Sequence, residues 1–179
     1  MSGMPEHAVD TRLRRTATAS ELCVVVGCHT FACAIPIRHI SHLLLNEDVS
    51  EVSRSRGLVV SAGGEFYATS NLGAQLELPA STGDWVLLHI PTKRSPMPIA
   101  LRTGRCLVVR DVSIRAPLVP SFFKQRGEAI AGAFITGANK GFPEGIVCGL
   151  VLNVGGLWTE SELESLAKAI VDWTRGPDG

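Results

Sequence analysis

Short apolar runs broken by glycine and proline make up most of the first 158 residues of the chain. Two of them, 22–26 (LCVVV) and 31–37 (FACAIPI), flank the turn-like GCHT and predict a β-hairpin. Residues 57–71 (GLVVSAGGEFYATSN) predict two more strands around a glycine turn, and residues 84–91 (DWVLLHIP) predict another. This pattern is typical of small β-barrels or a sandwich and not of a doubly wound α/β fold.

The remaining apolar runs extend the same pattern. Residues 99–114 predict two strands separated by Thr103-Gly104-Arg105, and residues 146–154 predict the last strong strand. Residues 46–56 are typical of a polar loop, and the segment 116–137 starts as an extended, proline-flanked stretch and becomes irregular. In total the pattern predicts eight or nine short strands.

Residues 38–45 (RHISHLLL) predict a short helix or turn, because three apolar residues recur there at helical spacing. His39 and His42 lie three apart on that predicted helix, as in half of a metal site. No carboxylate or cysteine at ligand spacing completes the set, so we interpret both as exposed helix residues.

The C-terminal segment is the clearest helix in the sequence. Thr159 and Glu162 form a T-x-x-E capping box, and Arg175-Gly176-Pro177 provide the usual end. Between them runs one apolar stripe: Leu163, Leu166, Ala167, Ile170 and Val171. Such a stripe normally packs on its own domain, and docking on a partner is the alternative. We therefore divide the chain into a flexible N-terminal tail (1–20), a β-domain (21–158) and a capped helix (159–179).

Composition and charge narrow the classes of function. The chain has 179 residues, 45% hydrophobic and 19% charged, which is enough for one domain or two small ones sharing a core. The formal net charge of +0 favours neither nucleic acid nor an anionic membrane as a partner. No apolar run approaches the roughly 20 residues that cross a bilayer. The residues before Cys28 resemble a lipoprotein cleavage site, but their apolar stretch is too short and follows Glu21, so we expect a cytoplasmic protein.

Five cysteines in such a protein indicate reduced thiols. Cys23, Cys28 and Cys33 are spaced five apart with His29 beside one of them, which raises a metal hypothesis. Side chains five apart on a strand point to opposite faces, so they converge only across a turn. We interpret them as small buried hydrophobes, and metal analysis of the purified protein tests the alternative.

No motif for catalysis or for a cofactor is present. The glycine-containing segments SAGGE (61–65) and TGANKG (136–141) lack the spacing that binds a dinucleotide or a phosphate. Cys33 with His39 is the nearest approach to a nucleophile and base, and no oxyanion site is evident beside them. The sequence therefore predicts neither an enzyme nor a bound cofactor.

The order of segments from about Leu22 to Trp158 resembles the CheW-like family, the adaptor domains that join chemoreceptors to a histidine kinase in bacterial signalling arrays. Phe31-Ala32 stand where the family has an aromatic-alanine pair in its opening strands. The stretch 64–79 (GEFYATSNLGAQLELP) is similar to the family's glycine turn, strand and short leucine helix ending in proline. The resemblance implies a mainly β fold of two small five-stranded, SH3-like barrels that share a core.

The chain departs from the family's pattern at several turn positions. Gly63 stands where the family has a turn arginine that is associated with partner contacts, Asn71 and Asn153 stand in place of aspartates, and Thr103-Gly104 replace a valine-aspartate. Lost charges reduce partner specificity. The resemblance nonetheless implies that proteins bind at the turn and the strand that follows it, where our candidates are Gly63, Gly64, Phe66, Tyr67 and Asn71. Phe66 and Tyr67 alternate faces, so we expect one of them in the core.

We therefore predict a non-catalytic cytoplasmic adaptor that couples a histidine kinase, a chemoreceptor or another signalling protein. The alternatives are a CheW-like interaction subunit with an exchanged partner, and a cysteine- and histidine-dependent metal protein.

Overall fold

The computed structural model describes residues 19–46, 49, 59–114, 128–135 and 148–175. The predicted tail up to residue 18, most of the polar loop 46–56, the segment 115–127, the TGANKG segment and the predicted helix end at Gly176-Pro177 lie outside the described residues.

The described residues form ten strands, two α-helices and two 3-10 turns. The strands are β1 (Ala19–Cys28), β2 (Phe31–Pro36), β3 (Ile40–Leu44), β4 (Val59–Ala62), β5 (Glu65–Asn71), β6 (Trp85–Ile90), β7 (Met97–Arg102), β8 (Cys106–Ile114), β9 (Ile130–Ile135) and β10 (Cys148–Leu152). The helices are α1 (Leu72–Gln75) and α2 (Glu160–Arg175), and the 3-10 turns are Ile37–His39 and Val154–Gly156.

The strands form two five-stranded sheets with the same topology. Sheet 1 has the order β8-β1-β2-β10-β9, and sheet 2 has the order β3-β6-β7-β5-β4. In each sheet one central pair is parallel, β2 with β10 and β7 with β5, and every other pair is antiparallel. Each half of the chain gives a hairpin to one sheet and three strands to the other, so neither sheet forms from one half alone.

Alternation along the strands divides the buried apolar residues into three clusters. One cluster contains residues of both sheets, such as Val24 and Ile35 of sheet 1 and Val86 and Ile99 of sheet 2, and we call it the common core. A second cluster lies within sheet 1. A third lies within sheet 2 and includes Tyr67. This arrangement confirms the prediction of a mainly β fold with two small five-stranded units that share a core, together with short helices and a C-terminal helix.

Two strand predictions were wrong. Residues 38–45 were expected to be a short helix or turn, but only Ile37–His39 form a single 3-10 turn, and β3 follows it. Pairing of β3 with β6 overrides the local helical spacing, so His42 lies on a strand and not on a helix. The second is β9, in a segment that the sequence predicted to be irregular, where antiparallel pairing with β10 orders a stretch that has little strand character of its own.

The crossing from sheet 2 to sheet 1 requires glycine. A Cβ on Gly104 would lie 2.6 Å from the carbonyl oxygen of Gly27, and the Gly104 amide donates to that oxygen at 2.7 Å. Thr103 is fully buried and its hydroxyl donates to the Asp84 carbonyl oxygen at 3.1 Å. The Asp84 carboxylate accepts from the amides of Asn46 at 3.3 Å and of Cys106 at 2.8 Å, and so ties the end of β3 to the start of β8.

Candidate protein-binding surface

The β4–β5 hairpin presents the predicted glycine turn at an open surface. Gly63 and Gly64 have φ angles of +59° and +83°, in the left-handed region that glycine adopts most readily. No heavy atom lies within 4 Å of a Cβ built on either residue. The turn is therefore free of neighbours on its outer side, as a partner contact requires.

Behind the turn, Glu65 is held by two neighbouring side chains. The Tyr67 hydroxyl donates to Glu65 Oε2 at 2.7 Å, and His89 Nε2 lies 3.1 Å from Glu65 Oε1. These hydrogen bonds, the one from His89 first, lower the pKa of the Glu65 carboxyl because they stabilise its charged form. Burial raises the pKa of Tyr67, whose hydroxyl also lies 3.3 Å from Ser41 Oγ. The group links β3, β5 and β6 and stiffens the base of the hairpin.

The two aromatic candidates point in opposite directions, as predicted. Tyr67 is 1% exposed and lies in the interior of sheet 2, so it shapes the strand from within. Phe66 lies on the other face, and its ring centroid is 4.3 Å from that of Trp173 on α2. Phe66 therefore contacts the chain's own C-terminal helix.

Asn71 organises the joint between β5 and α1. Its Oδ1 accepts from the amides of Ser81 at 2.9 Å and Ala74 at 3.3 Å, and its Nδ2 donates to the Ser81 carbonyl oxygen at 2.9 Å. The side chain thus caps α1 and fixes the loop that leads to β6. Asn153 follows β10, the strand of sheet 1 that corresponds to β5, and its Nδ2 donates to the Glu128 carbonyl oxygen at 2.8 Å. Both asparagines use an N–H donor that an aspartate lacks.

The five predicted site residues therefore have different surroundings. Gly63 and Gly64 are open to solvent, Phe66 is in contact with α2, and Tyr67 and Asn71 hold the framework. Their assignment to a partner site stays a prediction.

A second surface feature was missed by the sequence analysis. Five large apolar side chains outside α2 are 40–51% exposed, and we call them the apolar rim: Leu22, Ile37, Leu43, Leu45 and Val109. Val109 pairs with Val24, and Leu43 pairs with Val86, so both lie on the faces of their sheets that form the common core. The rim is thus an uncovered margin of that core, at the edge strands β8 and β3.

The described cysteines of β1, β2 and β8 are mostly interior groups. Cys23, Cys28 and Cys33 are fully buried, which confirms the prediction for these three. Cys28 and Cys33 face the common core together across the hairpin turn, and their thiols are hydrogen-bonded, which raises the pKa of Cys33 and lowers that of Cys28. Burial raises the pKa of Cys23 and of Cys106 to about 11. Within the described ranges no three His, Cys, Asp or Glu side chains cluster as metal ligands.

Comparison with known proteins relates this geometry to one solved fold. No protein-family model matches the sequence, and no curated protein matches it. The crystal structure of the scaffolding protein TtCheW from Thermoanaerobacter tengcongensis superposes with a TM-score of 0.55 at 11% sequence identity, over 78% of this chain and 92% of that one. The chain therefore has a CheW-like fold, as the resemblance implied. Among the described residues, no helix is both long and apolar enough to cross a bilayer.

Proposed function

We propose that the chain is a non-catalytic cytoplasmic adaptor that holds a histidine kinase, a chemoreceptor or another signalling protein through protein–protein contacts. The observation that carries this proposal is the apolar rim on a CheW-like framework. The structural neighbour is a scaffolding protein by name, which supports the same class of function for this chain.

The rim has the chemistry of an interface core. Apolar side chains that are 40–51% exposed at the margin of a packed core gain free energy when a partner covers them, at about 25 cal/mol per Å². A few such side chains usually carry most of the affinity of an interface. The Asp84 link between β3 and β8 holds the two parts of the rim together, so a partner meets a prearranged surface.

The test is affinity purification from the native cell with a rim variant and a matched control. Leu43→Asp places a charge on the rim, and Val171→Asp places one on α2 at a residue of the same 43% exposure. We expect wild type and Val171→Asp to recover a kinase, a receptor or another signalling protein, and Leu43→Asp to lose at least about nine-tenths of it. Recovery of no signalling protein by wild type, or equal recovery by both variants, contradicts the proposal.

The second candidate is an interaction subunit with an exchanged partner, and the glycine turn favours it. An arginine at Gly63 would extend into open space, where the CheW-like pattern has a turn arginine. Gly63→Ala is the matched control, because it introduces the same left-handed backbone strain, about 1 kcal/mol, without the charge. Stronger recovery of a kinase or receptor by Gly63→Arg than by Gly63→Ala supports the chemosensory proposal. No gain supports the exchanged partner.

A further inference from the structure

Helix α2 covers the common core at the opposite side of sheet 2 from the apolar rim. It packs on β5 and β4. Its apolar residues Leu163, Leu166, Ala167 and Ile170 pack against the common core. Phe66, which contacts Trp173, lies on the same face of β5 as Ala68 of that core. The helix therefore closes one margin of a core whose other margin is open.

The packing of α2 is incomplete. None of its residues is buried, although its apolar stripe faces the domain. Beside its first two turns lies a cleft of about 820 Å³, bounded on the other side by the loop from Pro91 to Ser95. Met97, Trp158, Leu163 and Ala167 line the cleft. Protein interiors rarely leave voids much larger than a water molecule, so the small side chain of Ala167 leaves space that a larger apolar group would fill.

The two ends of α2 are held differently. The segment before it is anchored, because Trp158 is buried and its Nε1 donates to Ser70 Oγ at 2.9 Å. Lys93 also reaches Glu160 in an exposed ion pair of 3.3 Å. At the C-terminal end, the ring contact of Phe66 with Trp173 joins the helix to β5. Release of α2 therefore begins at Trp173 and leaves Trp158 in place.

We infer that the surface under α2 is a docking site for an amphipathic helix of a protein partner, which competes with α2 and carries a larger apolar residue where α2 has Ala167. The visible occupant defines the partner's chemistry: apolar residues at the spacing of Leu163, Leu166 and Ile170, and an acidic residue facing Lys93. The inference rests on the proposed adaptor function and adds a second partner surface to it.

The test uses labelled peptides as the competing helix and the full chain as the receptor. One peptide has the sequence of residues 159–175, and a second carries Ala167→Leu. Tethered α2 competes at an effective concentration on the order of millimolar, so wild type binds either peptide weakly. Trp173→Ala removes the contact with Phe66 and loosens the internal helix, whereas Val171→Ala changes an exposed residue of the same helix.

By fluorescence anisotropy we expect Trp173→Ala to bind the native peptide at least about tenfold more tightly than Val171→Ala does. We expect the Ala167→Leu peptide to bind about tenfold more tightly than the native peptide, because it fills the cleft. Hydrogen exchange of the α2 amides reports release independently, and Ile170→Ser provides a second loosened variant. Increased exchange without peptide binding overturns the inference, as does unchanged exchange in both loosened variants or equal affinity for the two peptides. If these results occur while Leu43→Asp still abolishes recovery of signalling proteins, the proposed function stands and this inference alone fails.

Discussion

Replacing Asn71 by aspartate tests whether the asparagine is required by its hydrogen bonds, at a position where the CheW-like pattern has an acid. The substitution keeps the size of the side chain and both acceptor interactions, with the amides of Ala74 and Ser81. It removes the Nδ2 donor and places a carboxylate oxygen about where Nδ2 now lies 2.9 Å from the Ser81 carbonyl oxygen. Two acceptors would then face each other.

The expected cost follows from these contacts. Leaving the acceptor of the largely buried Ser81 without its donor costs about 1–3 kcal/mol. The charged carboxylate strengthens the two accepted hydrogen bonds and returns about 0.5–1 kcal/mol. The free energy of unfolding at pH 7 should therefore fall by about 1–2 kcal/mol, which lowers Tm by about 2–8 °C for a chain of this size.

Thermal unfolding monitored by circular dichroism at two pH values measures the effect. The carbonyl oxygen raises the pKa of the new aspartate in the folded state, so the cost is present at neutral pH and disappears as the carboxyl becomes protonated at about pH 4 or below. A protonated carboxyl can donate to Ser81 as the amide does. Asn153→Asp, at the corresponding position after β10, should behave in the same way because its Nδ2 also donates to a carbonyl oxygen. A variant Asn71→Asp with wild-type Tm at neutral pH, or with a loss of Tm that acid does not relieve, refutes this reasoning.

Three further predictions concern stability and thiol chemistry. Gly104→Ala should lower the free energy of unfolding in urea by about 2–3 kcal/mol because its Cβ meets a backbone carbonyl, whereas Gly155→Ala, with 3.8 Å to its nearest neighbour, should change it little. Wild type should be more stable than Glu65→Gln at neutral pH, and a pH series should show the difference vanish as pH falls below 4.5, because the lowered pKa of Glu65 stabilises the fold only while the group is ionised. Cys23 and Cys106, with pKa values of about 11, should resist iodoacetamide at pH 8 until urea unfolds the chain, since about one thiol in a thousand is ionised; labelling of the native protein at the unfolded rate would contradict this.

The amino-acid sequence predicted those elements whose local pattern agrees with their final pairing. The hairpin of β1 and β2, the glycine turn before β5 and the capping box of α2 follow from residue types alone, and the structure confirms each. The strand β3 could not be predicted in this way, because its leucines have helical spacing and only pairing with β6 makes it a strand. The strand β9 is ordered by β10, which lies beyond a stretch that the local pattern does not cross.

Local patterns could not predict the apolar rim for a similar reason. Leu43 and Leu44 are adjacent leucines of one short strand, yet Leu44 packs in the interior of sheet 2 and Leu43 is 43% exposed. The difference depends on β3 being an edge strand, which only the assembled sheet determines. The contact of Phe66 with Trp173 has the same origin, because the two residues meet only once α2 lies across β5.

The shared topology of the two sheets makes their one asymmetry informative. Strands β5 and β10 occupy equivalent places, and each ends in an asparagine that fixes the following segment. After β5 the chain makes one short helix and returns to the sheets, whereas after β10 it continues into α2. The common core therefore has a margin that α2 covers and a margin that exposes the apolar rim. If both proposals hold, the adaptor has one surface that is always available and one that a partner gains only by displacing α2, so charge on the rim and loosening of α2 should affect different partners independently.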